Sequence, residues 1–131
     1  MVRWASGAIM LLCIIHLAVL GLDVPGEWNR WISFNLWTFD HWQFLRAQPI
    51  DLALSGAVFW ATVGSFAFPL LILGALVWWL DRRGLPIPSF VGWSLAGWML
   101  FATLLMAPSG FPVGLAVALV LAAGLGARKT A

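Results

Sequence analysis

Charged side chains fall at a few points along the chain and leave long apolar runs between them. Trp4–Leu22 carries no charge and one histidine, His16. Leu52–Leu80 is uncharged throughout, and so is Gly84–Ala127. A helix that crosses a bilayer needs about 20 apolar residues, within about 17–25, so the last run is too long for one crossing. Pro108-Ser109-Gly110-Phe111-Pro112 divides it with residues that leave helices. Four spans are therefore predicted, near 4–22, 51–80, 90–107 and 111–127, with an interfacial segment over 23–50. Helices are preferred to a barrel, whose strands alternate polar and apolar residues over about ten positions; these runs are continuous. The expected fold class is an all-α integral membrane protein, a four-transmembrane-helix bundle forming a single domain over 1–131.

Composition agrees with this pattern. Of 131 residues 63% are hydrophobic and 9% charged, where soluble chains average about 45–50% and about 25%. So few charges cannot dress a water-facing surface, which excludes an ordinary soluble domain and a disordered chain. The formal charge is +2 and the basic residues are scattered, so no nucleic-acid partner is expected. Across four spans, Arg3, Arg82, Arg83, Arg128 and Lys129 fall on one side, and Arg30 and Arg46 on the other. That bias places both termini in the cytoplasm and the 23–50 segment outside. A signal peptide is the competing reading of the first run, but no small-x-small cleavage site follows it. Cys13 is the lone cysteine and sits in mid-span, so neither a disulfide nor a metal pair is expected.

Inside lipid, helices associate where small side chains let backbones approach. Gly110, Gly114, Ala118, Ala122 and Gly126 form such a stripe on the last span, and Ala53, Ala57, Ala61 and Ser65 a shorter one on the second. The second span carries Pro69 near its centre; its ring presses on the carbonyl of Ser65, so a kink is predicted there. The 23–50 segment is strongly aromatic, with Trp28, Trp31, Phe34, Trp37, Phe39, Trp42 and Phe44. Trp28, Trp31 and Ile32 share one helical face, and Asp40 with Gln43 predicts an N-capped helix through Ala47. The segment reads as amphipathic helices at the lipid–water interface, an arrangement compatible with a lid over an outer pocket.

Polar groups at membrane depth are functional candidates. His16 lies about 9 Å inside the outer end of the first span at helical rise, with Asp23 seven residues later on the same face. Asp51 opens the second span, and Ser55 and Thr62 continue its face, near Phe59 and Trp60. Ser109 sits at the outer tip of the helical hairpin, while Trp42, His41 and Arg46 stand in the loop above. This outward clustering predicts a partly polar cavity. His16 and Asp51 are the candidate acid–base pair. Asp23, Trp42, Arg46, Ser55, Phe59, Trp60, Thr62 and Ser109 are the candidate ligand contacts. Plainer readings stand beside these: a structural His16 bonded to a backbone carbonyl or hydroxyl, Asp51 as a helix cap, and Arg46 snorkelling to lipid phosphate. No CxxC, HExxH, GxSxG or phosphate loop occurs, so no metal and no cofactor is expected.

Phe59-Trp60 with Gly64, Trp79-Leu80-Asp81-Arg82-Arg83-Gly84, Pro88, Gly92-Trp93 and Pro108-Ser109-Gly110-Phe111 carry a resemblance over roughly 55–127, with His16 a further match. The chain is similar to an uncharacterised family of small four-span bacterial membrane proteins, common in actinobacteria. The resemblance implies four helices in the bacterial cytoplasmic membrane and no activity. The Trp-rich stretch Glu27–Trp42 departs from the shorter, more apolar connection of that family. The expected function is binding of a lipophilic molecule in an outer-leaflet pocket, with isomerisation or cyclisation by proton transfer as its catalytic form. A non-catalytic accessory subunit of a larger membrane complex is the alternative, and a small proton-coupled exporter the third. Partners are then the bilayer, a lipophilic small molecule, and either further copies of the chain or a larger complex.

Overall fold

The computed structural model describes residues 1–127. Arg128 and Lys129, two of the five basic residues assigned to one side, lie outside the described residues. The described residues are all-α, without strands. Helix α1 (Val2–Leu20) runs through a 3-10 turn at Gly21–Asp23 into α2 (Val24–Ile32). Short 3-10 turns at Phe39–Trp42 and Leu45–Ala47 lead to α3 (Ile50–Ala61), α4 (Ala67–Arg82), α5 (Phe90–Leu105) and α6 (Phe111–Ala127). The run Val2–Ile32 is long and apolar enough to cross a membrane; Ile50–Ala61, Phe90–Leu105 and Phe111–Ala127 are shorter apolar helices.

The chain divides into two compact units, one of Met1–Ile14 with the residues from Pro69 onward, the other of Ile15–Phe68. In the first, α5 and α6 form the predicted hairpin. Its turn is held by Ser109, whose hydroxyl donates to Met106 O at 2.5 Å and accepts from Phe111 N at 3.3 Å. Of the small-residue stripe of α6, Gly114, Ala118 and Ala122 are covered from within the chain, while a Cβ on Gly110 or Gly126 would meet nothing within 4 Å. A Cβ on Gly92 would stand 2.5 Å from Ala122 Cα and 2.7 Å from its N, so the two backbones meet without side chains between them. Met99 fills the space over Gly114, and Ala118 and Ala122 are fully buried.

The start of α1 packs on α6 and α4 in the same way. Gly124 faces Met1 and Val2, Gly74 faces Met10, Ile9 and Ser6, and Gly7 faces Trp78. Arg3 Nε donates to Asp81 Oδ2 at 2.8 Å, with the carboxylate buried and the guanidinium half exposed. These contacts set the directions of the helices. The beginnings of α1 and α5 and the ends of α4 and α6 share one end of this unit.

One expected element is corrected. The run 51–80 is not a single kinked helix but two, α3 and α4, separated by a turn at 62–66. Pro69 is the third residue of α4. A proline is tolerated in the first helical turn, where its missing N–H would have no partner anyway. The chain therefore ends one helix and starts another, and Ser65 Oγ accepts from Ala67 N at 3.2 Å to open it. At the far end of α4, Gly84 at φ +67° closes a left-handed cap: its N–H reaches Asp81 O, and that of Leu85 reaches Leu80 O.

The α5–α6 contact yields a paired expectation. Gly92→Val drives a branched side chain into the backbone of Ala122 and should destabilise by about 1–3 kcal/mol. Gly97→Ala, with nothing within 4 Å of its new methyl group, should be neutral or stabilise by up to about 1 kcal/mol. Thermal unfolding of the purified protein in detergent separates the two; equal midpoints would contradict the close approach.

Candidate functional site

The second unit is built on α2 and α3. Trp28 and Trp31 are three residues apart on α2, hence on one face. Trp31 ties that face to α3: its indole N–H donates to Ser55 Oγ at 3.0 Å. Its ring also meets Phe59 edge-on at 5.9 Å, a favoured aromatic geometry. On α3, Ala53, Gly56, Ala57 and Trp60 recur at helical spacing. Three of the four are small, and they open space where the sequence predicted close helix contact.

The connecting segment folds over that space. Helix α2 ends on Phe34, at φ +61°, with Phe34 N bonded to Trp31 O and Asn35 N to Arg30 O. A left-handed non-glycine costs roughly 1–2 kcal/mol; here it turns the chain back, and the Phe34 ring stacks edge-on with Trp37 at 5.1 Å. Asp40 and Gln43 do pair, at 2.9 Å, but they brace 3-10 turns and not the predicted helix. The capping side chain is Thr38, whose Oγ1 accepts from Asp40 N. Gln48 then straps the segment, its Nε2 donating to the carbonyls of His41 and Gln43 at 3.2 and 3.0 Å.

The result is a partly open cavity of about 1040 Å³. Its floor is the small face of α3. Its walls are Trp28 and Trp31 of α2, Trp37, Phe39, His41 and Trp42 of the connection, and Phe59, Trp60 and Val63 at the end of α3. The His41 ring lies over Gly56, where a Cβ would stand 3.8 Å from its Cε1. Gly64 leaves no room for a Cβ beside Phe59 and Trp60, so both rings are fixed by the turn that follows them.

The predicted site residues divide accordingly. Trp42, Phe59 and Trp60 line the cavity. Ser55 is buried and holds Trp31. Thr62 is buried, and its hydroxyl donates to Val58 O at 2.6 Å. Asp23 and Arg46 are exposed and do not line the cavity, and Ser109 serves the α5–α6 turn in the other unit. His16 and Asp51 are not brought together. Asp51 is exposed in the first turn of α3, whereas His16 Nε2 bonds Ala61 O at 3.1 Å at the other end of that helix. Ten residues separate those positions, about 15 Å at helical rise. A carbonyl only accepts, so His16 Nε2 carries the proton and caps the broken helix; its ring also packs against Phe66 at 5.4 Å. The expected acid–base pair gives way to this structural role.

Sequence reasoning set His41, Trp28, Trp31 and Trp37 in the loop or lid above the pocket but not among its ligand contacts. The available signal was the pairing of two tryptophans at i, i+3 on α2 with a small face on α3. It also passed over Asp81, whose partner Arg3 was counted only for its charge. Among the described residues, no group of three His, Cys, Asp or Glu side chains is placed to hold a metal. Compared with protein-family models, curated proteins and solved structures, the chain matches none.

His16→Ala should leave the Ala61 carbonyl short of a donor and destabilise by about 1–3 kcal/mol. His16→Gln, which carries an N–H to nearly the same point, should recover most of that loss. Thermal melts of the two variants in detergent decide it; an unaltered His16→Ala midpoint would exclude the capping role.

Proposed function

We propose that this protein is a bilayer-embedded binder of a lipophilic molecule, which sits in the aromatic cavity formed by α2, the connecting segment and α3. The observation that carries the proposal is the cavity itself. Its size is at the upper end of the roughly 300–1,000 Å³ of small-molecule pockets, and like them it is chiefly apolar with few polar groups.

The bilayer setting is supported by what the surface presents. Trp4 is 84% exposed, Ile72 68% and Leu104 75%. Exposed apolar surface on this scale fits contact with lipid and not with water. We take α1, α4, α5 and α6 as the crossings. Their alternating directions put Arg3, Arg82 and Arg83 at one end, which under the positive-inside bias is the cytoplasmic one. The connecting segment, with Trp37, Phe39, Trp42 and Phe44 all more than four-fifths exposed, then belongs at the outer interface, where tryptophan concentrates. Binding is proposed without proton transfer between His16 and Asp51, since His16 bonds Ala61 O, ten residues or about 15 Å along α3 from Asp51. The accessory-subunit alternative draws on the α6 stripe and the Trp-rich segment as partner surfaces; Gly114, Ala118 and Ala122 of that stripe are buried within the chain.

Purification in mild detergent, followed by solvent extraction and mass spectrometry, tests the proposal. The expected result is one lipophilic species enriched over bulk lipid with the wild-type chain. Ala57→Trp, which fills the cavity floor, should lose it while keeping the wild-type melting profile. Identical extracts from both proteins would rule the cavity out as the binding site.

A further inference from the structure

The walls of the cavity differ in which polar atoms they have already used. Thr38 Oγ1 donates to Asp40 and accepts from the same residue's N–H. Gln48 Nε2 is spent on two carbonyls, and the Trp31 indole on Ser55. Among the described residues, the ring nitrogens of His41 and the indole N–H groups of Trp28, Trp37, Trp42 and Trp60 have no hydrogen-bond partner. An indole nitrogen only donates. Donors therefore outnumber acceptors among the free side-chain groups, whose acceptors are Gln48 Oε1 and one ring nitrogen of a neutral His41. No Lys, Arg, Asp or Glu lines the cavity, and His41 is its single titratable wall residue.

That balance tells against two kinds of head group. A phosphate or carboxylate would be buried beside no cationic partner, which is costly. A quaternary ammonium would find aromatic faces, which suffice to recognise it, but it would leave the indole N–H donors unused. A neutral oxygen acceptor fits both conditions, since it takes N–H donors and brings no charge. Resting on the lipophile-binding reading above, we infer that the ligand is a neutral lipophile bearing carbonyl oxygens, and that His41 is the side chain that recognises them. Prenylated quinones and acylglycerol esters share this chemistry.

Calorimetric titration of the full chain in detergent micelles, against empty micelles, tests the inference with four probes: decylubiquinone, dioctanoylglycerol, decylbenzene and decyltrimethylammonium. At least one carbonyl probe should bind about tenfold more tightly than decylbenzene, the worth of one hydrogen bond of about 1.4 kcal/mol. Which of the two does so identifies the source. His41→Phe should reduce that probe to the decylbenzene level and leave decylbenzene itself unchanged. His41→Gln, which restores an N–H donor, should recover most of the difference. Equal affinity for carbonyl probes and decylbenzene overturns the inference and leaves the lipophile reading standing. So does an unchanged preference in His41→Phe, or a preference for decyltrimethylammonium. Binding of none of the four sinks both.

Discussion

A backbone carbonyl released where a helix stops and shielded from solvent must find a donor, because a buried acceptor left unpaired is costly. The break between α3 and α4 releases several, and the chain satisfies them locally. Thr62 Oγ1 takes Val58 O, the N–H groups of Thr62 and Gly64 take Phe59 O, and Ser65 N takes Thr62 O. Ala61 O is reached from another helix, by the imidazole of His16. This set of bonds lets α3 stop after twelve residues. The stop in turn fixes the Phe59 and Trp60 rings against Gly64 and closes one wall of the cavity.

Small residues do opposite work in the two units. At Gly92 and Ala122 they bring two backbones into contact, and dispersion between the helices replaces side-chain interdigitation. At Ala53, Gly56 and Ala57 they face aromatic rings borne on a separate segment, and the missing side chains become volume. The difference lies in what stands opposite. An α-helix lies flush against a smooth face, whereas the 33–49 connection, pinned by Thr38, Gln48 and the left-handed Phe34, arches over one.

This contrast explains what the sequence made legible. Helices α5 and α6 and the turn joining them follow from hydrophobic run length and from Pro108 to Pro112, both local signals. The all-α class follows from continuous apolar runs. The α3–α4 break was half legible. Pro69 announced a disturbance, but whether a proline kinks a helix or begins one depends on the cap, and Ser65 reads equally well as part of a small-residue face. The aromatic content of 23–50 was plain, while its enclosure of a cavity was not. That enclosure depends on the Trp31–Ser55 bond, 24 residues apart, and on the strap from Gln48. The His16–Asp51 pairing failed for a similar reason. Two groups on one predicted side of a membrane still differ in position along their helices, and helix length decides the separation.

The Arg3–Asp81 bond joins positions 78 residues apart. At a ribosomal pace of about 5–20 residues per second, Arg3 waits roughly 4–16 s after its own synthesis before the carboxylate is made. Gly124, against which Met1 and Val2 pack, arrives later still. The start of α1 is thus made well before the partners that lock it, and this unit closes only after Gly124 has been added.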